Sequence, residues 1–448
     1  MLSYDHENIV ALATPPGKGA LAIVRLSGPD LCSIYRAFSR KDPVDRRAVF
    51  SKIYHPRNNK LLDEAIITYF KSPNSFTGED VVEITCHGGA VVSRSIILAA
   101  LDSGVRNANP GEFSFRAFIN GKIDLLQAEA VASLISSKSQ FSAHVSLQHL
   151  TGRVSNVFSE IKGLSLDVLS IIEKELDFSE EELDLTSYNI IRNMVVDIQK
   201  RLKVILNDTT FGKNALLGIR VVLLGKPNSG KSSLFNAILG FDRAIVSNAP
   251  GTTRDTIESS MELGGVSVCF IDTAGLWESD EFLDKLGVEK TIDSIARANL
   301  CLLIDENSPS DLLKSSLSHK IKDPFVLVKS KCDLDDSILN NDKNIFYISA
   351  KNGQGIERLL TYISTYITEN VNCPEALNHI LVAKRQRDLL MTALSSVAVV
   401  IKQIDAGIDT DILASGLHGF VAILKEVVGE IPNRDVLNNI FSNFCVGK

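Results

Sequence analysis

The stretch GKPNSGKS (225–232) has the G-x-x-x-x-G-K-S spacing of a phosphate-binding loop, and it sits between an apolar run and a helical pattern. In that setting backbone amides face phosphate oxygens, Lys231 reaches the β and γ oxygens, and Ser232 ligates Mg2+. Four further blocks follow in order: GTTRD (251–255), DTAG (272–275), SKCD (330–333) and SAK (349–351). Together they have the chemistry of a guanine-nucleotide site. Thr253 is the expected second Mg2+ ligand, Asp272 holds the metal through water, and the Gly275 amide contacts the γ-phosphate. Asp333 accepts hydrogen bonds from the guanine edge. The GTP contact set these motifs imply is Asn228, Ser229, Gly230, Lys231, Ser232 and Ser233 in the loop, then Ser247, Asn248, Ala249, Pro250, Gly251, Thr252 and Thr253. Asp272, Thr273, Ala274 and Gly275 follow, and Ser330, Lys331, Asp333, Ser349, Ala350 and Lys351 surround the base.

Two positions depart from the usual pattern. Ser330 stands where the guanine motif normally has Asn, so its contact to the base is shorter-armed. Leu276 stands where Ras-type GTPases place a glutamine that orients water, so another carboxylate and another positive charge would have to serve. Asn228 either forms a turn or offers a side-chain oxygen to a monovalent cation bridging the phosphates. At the other end of the chain, Cys445 lies four residues from the carboxyl terminus, the spacing of a prenylation box. The residues after it, Val446, Gly447 and Lys448, are not those such a box takes, and no polybasic run precedes it. The alternatives are an inert tail and a tail that enters a substrate site.

The elements that must position these residues fall into four zones. Residues 1–118 mix short β-type runs (IVALAT, ALAIVRLSG, EAIITYF, DVVEITCHGG) with one helix, VVSRSIILAALDSG, an α+β pattern. Residues 119–215 turn helical: the stripe from Leu147 through Leu150, Val154, Val157, Ile161, Leu164, Val168 and Ile172 to Leu176 predicts one long amphipathic helix. The acidic stretch DFSEEELDL interrupts it, and a second helix carries Ile191, Met194, Ile198, Leu202 and Ile205. Residues 216–372 alternate strand and helix, a doubly wound α/β unit. Residues 373–448 are helical again, so the α/β unit is inserted into a discontinuous helical domain.

The chain has 448 residues, a net charge of −7, 45% hydrophobic and 23% charged residues. That composition is ordinary for a soluble multidomain protein and excludes a chain that is basic throughout. An RNA substrate would need a local basic patch or a partner to hold its phosphates. The seven cysteines are dispersed without a C-x-x-C pair, which suggests free thiols in a reducing compartment and no zinc site. The amino terminus has no signal-peptide pattern and nothing approaches 18 apolar residues, so a cytoplasmic location without membrane association is expected.

Seven collinear blocks carry a resemblance. They are ATPPGKGALAIVRLSG (13–28), PNSFTGEDVVEITCHGG (73–89), PGEFSFRAFINGKIDLLQAEAV (110–131), GKPNSGKSSLFNAILG, AIVSNAPGTTRD, DTAGLWESDEFLDKLGVEK and IFSNFCVGK. Over its full length the sequence resembles the MnmE (TrmE) family of tRNA-modifying GTPases, within the wider TrmE-Era-EngA-like group. The resemblance implies an amino-terminal folate-binding and dimerising domain, a helical domain, and a Ras-like G domain inserted in the latter. It implies a homodimer that pairs with an MnmG (GidA)-like flavoprotein, using FAD and NADH, in a heterotetramer or larger complex. That complex adds an aminomethyl or carboxymethylaminomethyl group to C5 of the wobble uridine of certain tRNAs. The one-carbon donor is 5,10-methylene-tetrahydrofolate, for which 5-formyl-tetrahydrofolate is an analogue.

By the same resemblance, Arg25, Glu83, Lys122 and Lys448 bind the folate. K+ is held by Asn228, Ser247, Ala249 and Thr252, and Mg2+ by Ser232 and Thr253. Asp284, with Glu281 as a substitute, takes the place of the family's catalytic Glu, one methylene shorter, and Cys445 is a candidate nucleophile. An Era-like ribosome-assembly GTPase is the alternative. It lacks the folate-type blocks and would carry a basic RNA-binding appendage that this composition does not offer.

Overall fold

In the computed structural model, residues 6–177, 185–240, 257–273, 292–314, 324–334, 344–371, 383–430, 434–442, 444 and 446–447 are described. The chain divides into two compact units. One comprises residues 1–132, 149–199 and 389–448, and the other residues 133–148 and 200–388.

The first unit opens with a sheet of β1 (Ile9–Leu12), β2 (Leu21–Gly28), β3 (Val49–Tyr54), β4 (Leu61–Phe70), β5 (Asp80–His87) and β6 (Arg106–Asn107), in the order β3-β4-β5-β2-β1-β6. β6 joins β1 in parallel, and the other neighbours are antiparallel. Side chains alternate along each strand. Ala22, Val24 and Leu26 of β2 and Val82, Ile84 and Cys86 of β5 form one core with residues of α1 (Cys32–Ser39) and α2 (Ala90–Asp102). The residues between them, Arg25 and Glu83 included, belong to the opposite face. β1, β2, β4, β5 and α2 match the sequence reading. β3, α1 and α3 (Glu112–Ile119) are additional. α3 buries six residues in a row, from Glu112 to Ala117, so it has no polar face from which a helical period could be read.

The helical stretch continues with α4 (Leu125–Ser136), α5 (Gln140–Leu150), α6 (Arg153–Asp177) and α7 (Leu185–Leu217). The single long helix expected from Leu147 to Leu176 is therefore two. Gly152, at φ +80, takes the left-handed conformation that breaks the chain direction between α5 and α6. Leu147 is 47% exposed and takes no part in the stripe, which begins at Val154 and runs through Ile161, Val168 and Ile172.

The second unit is built on β7 (Ile219–Leu224), β8 (Ile257–Leu263), β9 (Val266–Asp272), β10 (Leu300–Asp305), β11 (Phe325–Lys329) and β12 (Ile345–Tyr347), in the order β12-β11-β10-β7-β9-β8. It also contains α8 (Lys231–Leu239) and α9 (Ile356–Val371). All neighbours are parallel except β8, an edge strand the sequence reading missed, which joins β9 through the turn Gly264–Gly265. Both turn residues have positive φ, as a two-residue hairpin turn requires. Alternate residues feed cores on both faces: Val221, Leu223 and Leu302 on one, Val222, Leu224 and Leu303 on the other. That double burial is why these strands appear as continuous apolar runs. Phe141 and Val145 of α5 join the first of these cores, and the Phe141 N–H donates to the Gly265 carbonyl at 2.9 Å.

After the second unit the chain returns to the first as α10 (Lys384–Asp405), α11 (Thr410–Val428) and α12 (Arg434–Ser442). α11 packs on α6, with the ion pair Lys162–Glu430 and a polar contact of His418 with Glu173 (3.1 Å), and Arg192 pairs with Asp405 from α7 to α10 (2.6 Å). α12 meets α3 through Phe441, whose ring centroid lies 5.5 Å from that of Phe115 and 5.3 Å from that of Phe444. Gly111 makes this approach possible, because a Cβ there would stand 2.4 Å from the Phe441 carbonyl oxygen. No helix among the described residues is long and apolar enough to cross a membrane.

Candidate functional site

The parallel register pairs Leu223 of β7 with Asp272 of β9, so the phosphate loop and the DTAG block start side by side at the carboxyl ends of adjacent strands. Gly225 passes so close to β10 that a Cβ would lie 2.2 Å from the Ile304 carbonyl oxygen. Asn228 (φ 59) and Gly230 (φ 89) bend the loop into the start of α8. Lys231 is buried, and its Nζ donates to the carbonyls of Gly225 at 2.9 Å and Lys226 at 2.7 Å. Ser229 Oγ is buried with no hydrogen-bond partner, an orphan donor that a phosphate oxygen in the loop would satisfy. Ser232 and Ser233 are exposed on the first turn of α8. Asp272 is 2% exposed, and Thr273 Oγ1 donates to the Leu223 carbonyl at 2.6 Å. These groups fit a nucleotide triphosphate and its metal.

The residues expected to face the base lie at the ends of β11 and β12. Ser349 Oγ donates to Asp333 at 2.7 Å, and that bond holds the Asp333 carboxyl below the usual carboxylate range. It aims an ionised acceptor. Ser330 does something the sequence did not suggest: its hydroxyl donates to the Ser229 carbonyl at 2.6 Å and thereby ties the guanine motif to the phosphate loop. Lys331 (φ 56) pairs with Glu306 at 2.6 Å, while Ala350 and Lys351 lie in the turn closed by Gly353 N–H on the Ser349 carbonyl. Ser247, Asn248, Ala249, Pro250, Gly251, Thr252, Thr253, Ala274, Gly275, Leu276, Glu281 and Asp284 lie outside the described residues.

A second cluster sits on the face of the first sheet away from α1 and α2. Arg25 and Glu83 are register partners on β2 and β5, with Nε–Oε1 at 2.8 Å and Nη2–Oε1 at 2.7 Å. The pair is half-buried. The guanidinium carbon lies 5.9 Å from the ring centroids of both Phe76 and Phe113. Nη1 also donates to the Gly447 carbonyl at 3.4 Å. Gly447 (φ +96) presses on the end of β1, where a Cβ would stand 2.2 Å from the Leu12 carbonyl oxygen. The chain's terminal segment therefore runs directly beside the Arg25–Glu83 pair. A carboxylate oriented by a guanidinium, which itself lies near two aromatic rings, suits a planar heterocycle bearing N–H donors.

Lys122 is placed less directly. Its Nζ donates to the Pro73 carbonyl at 3.0 Å, and its stem packs under Gly78, in the same loop that carries Phe76. Cys445 and Lys448 lie outside the described residues; Phe444, Val446 and Gly447 mark the path of the segment. Burial pushes the Cys86 and Cys301 thiols up to about 11, so neither is a thiolate near neutral pH.

Beneath this cluster is a charge network that sequence reasoning missed. Arg116 is 1% exposed and bonds Glu79 at 2.9 Å, Glu112 at 2.9 Å and the Glu7 carbonyl at 2.8 Å. Glu112 also takes Arg106, and Glu79 accepts from Ser27 of β2 at 2.8 Å. Burial disfavours the Glu112 charge, but Arg106, the Asn109 N–H and Arg116 together hold its carboxyl below the usual range. The one sequence signal was charged residues alternating with aromatics in EFSFRAF, a pattern without a metal or catalytic spacing.

Residues 8–122 match the model of the GTP-binding protein TrmE N-terminus, and residues 125–445 match that of the MnmE helical domain. The tRNA modification GTPase MnmE of Flavobacterium johnsoniae is 35% identical over 99% of this chain and 100% of its own length. The MnmE proteins of Thermotoga petrophila (37% identical, covering 99% of this chain and 100% of that protein) and Cytophaga hutchinsonii (38% identical, 99% and 98%) are similar over the same span. With an α+β amino-terminal domain, a discontinuous helical domain and an inserted G domain in this order, the chain belongs to the MnmE family of tRNA modification GTPases.

Proposed function

We propose that this protein is a K+-dependent GTPase that acts, as a homodimer and with an MnmG-like flavoprotein carrying FAD and NADH, to add an aminomethyl or carboxymethylaminomethyl group at C5 of the tRNA wobble uridine. The observation that carries the proposal is the presence, in one chain, of a complete phosphate loop and of the Arg25–Glu83 pair with the terminal segment against it. A switch GTPase alone would have no use for the second cluster.

In this reading Lys231 and the loop amides hold the β and γ phosphates, Ser232 and Thr253 hold Mg2+, and Asp333 selects guanine. Asn228, with oxygens of Ser247, Ala249 and Thr252, holds K+ where an arginine finger would otherwise act. The cation supplies positive charge to the phosphates as negative charge develops on them. Asp284 orients the attacking water.

In the first unit Glu83 accepts from the pterin ring, Arg25 fixes the Glu83 rotamer, and Lys122 and Lys448 attract the glutamate tail of the folate. The bound folate supplies the one-carbon group. Cys445, the candidate nucleophile, belongs to the same terminal segment as Gly447. The proposal also puts the protein in the cytoplasm, where its tRNA substrate is. Removing the gene tests it: the C5-modified wobble nucleoside should disappear from tRNA, and unchanged tRNA would sink the reading.

A further inference from the structure

The protein is acidic overall, yet residues 36–60 carry eight Lys and Arg against only Asp42 and Asp45. That is a local charge of +6 in a chain of −7, which leaves −13 for the rest. The fold collects this charge at one place. Arg40 and Lys41 directly follow α1, and the turn between β3 and β4 carries Arg57 and Lys60. Arg40 joins the two, with its guanidinium carbon 3.8 Å from the Tyr54 ring centroid and its Nη2 donating to Asn59 Oδ1 at 3.0 Å.

β3 is the edge strand of the sheet, and Lys41 Nζ covers the Phe50 carbonyl at 2.8 Å. Little of the charge is neutralised. Arg36 is paired with Asp42, and Lys52 reaches Glu64 only at 3.8 Å. Arg40 and Lys41 contact neutral groups, and Arg47, Arg57 and Lys60 have no ion pair among the described residues. In the midst of this charge Phe50 is 65% exposed. An uncompensated basic edge around an exposed aromatic ring is the chemistry that takes phosphates and stacks an unpaired base.

We propose that this β3 edge holds the sugar–phosphate backbone of an RNA substrate, with Phe50 as a platform for one unstacked base. The proposal rests on the reading of the protein as a tRNA-modifying enzyme and says which surface meets the tRNA. The sheet register connects it to the second cluster. Phe50 pairs with Ile66, Ile66 with Thr85 and Thr85 with Ile23, while the neighbouring row is Thr68, Glu83 and Arg25. Phe50 thus shares one face with the pair, two strand spacings from Glu83 and three, or roughly 14 Å, from Arg25. RNA held at the edge has its bases directed across that face.

The test uses the full-length chain and fluorescence anisotropy with an unmodified tRNA transcript bearing a wobble uridine, titrated at several KCl concentrations. The variant R57A/K60A should bind about tenfold more weakly, with the slope of log Kd against log salt shallower by about two. F50A should weaken binding about tenfold with the slope unchanged. GTP hydrolysis without RNA should match the parent in both. Parental affinity and slope in R57A/K60A would overturn the proposal. F50A that alters the oligomeric state but not RNA affinity would remove the stacking role. A parent chain that fails to bind the transcript, while gene deletion still abolishes the modification, would overturn the surface and leave the proposed function standing.

Discussion

Ser330 and Gly447 each do their work through one carbonyl. The Ser330 hydroxyl bonds the Ser229 carbonyl within the phosphate loop, so its removal loosens that loop rather than only the base contact. S330A should bind GTP about fivefold more weakly, the value of one neutral hydrogen bond, with the loss shared by GDP; titration with both nucleotides checks this. At Gly447 a methyl group would collide with the Leu12 carbonyl, and φ +96 strains any other residue. G447A should therefore displace the terminal segment and free Arg25 from its carbonyl. Affinity for 5-formyl-tetrahydrofolate should fall at least tenfold, while GTP hydrolysis stays within about twofold of the parent.

At the scale of elements, α3 is fastened to the sheet by ions rather than by an apolar stripe. Glu112 shares Arg116 with Glu79 and holds Arg106 as well. E112Q leaves the buried Arg116 guanidinium short of a counter-charge, and unfolding should become easier by about 3 kcal/mol. The pH dependence follows from the lowered carboxyl pKa of Glu112. A carboxylate whose folded value lies below its unfolded value stabilises the fold above the ordinary carboxylate range. That contribution is lost as the pH falls through the range. Urea midpoints near neutral pH and near pH 4 should therefore converge more in E112Q than in the parent.

The same elements show what the sequence could and could not reveal. Continuous apolar runs between β7 and β12 and alternation on β2, β4 and β5 were legible, because burial on two faces or one leaves a period. The split between α5 and α6 was not, because the apolar spacing carries on through Gly152 and only its backbone conformation breaks the helix. The Arg25–Glu83 pairing was hidden for another reason: 58 residues separate them, and only antiparallel register brings them together. The Ser330 bond to the loop likewise depends on two strands meeting.

At the scale of the whole molecule, one chain carries a phosphate loop in one unit and the Arg25–Glu83 cluster in the other, and the proposed function requires both. With Asn228 in the K+ role, GTP hydrolysis should be at least tenfold faster in K+ than in Na+. Equal rates in steady-state assays would contradict that role. Removing residues 445–448 should abolish tRNA modification and leave hydrolysis largely intact, which separates the two units by function. The central claim meets its most direct test in mass spectrometry of tRNA nucleosides from cells lacking the gene, with the parent gene and a K231A form returned separately. The account predicts that the C5-modified wobble uridine is lost and that the parent restores it while K231A does not. Persistence of the modified nucleoside in the deleted cells would contradict it.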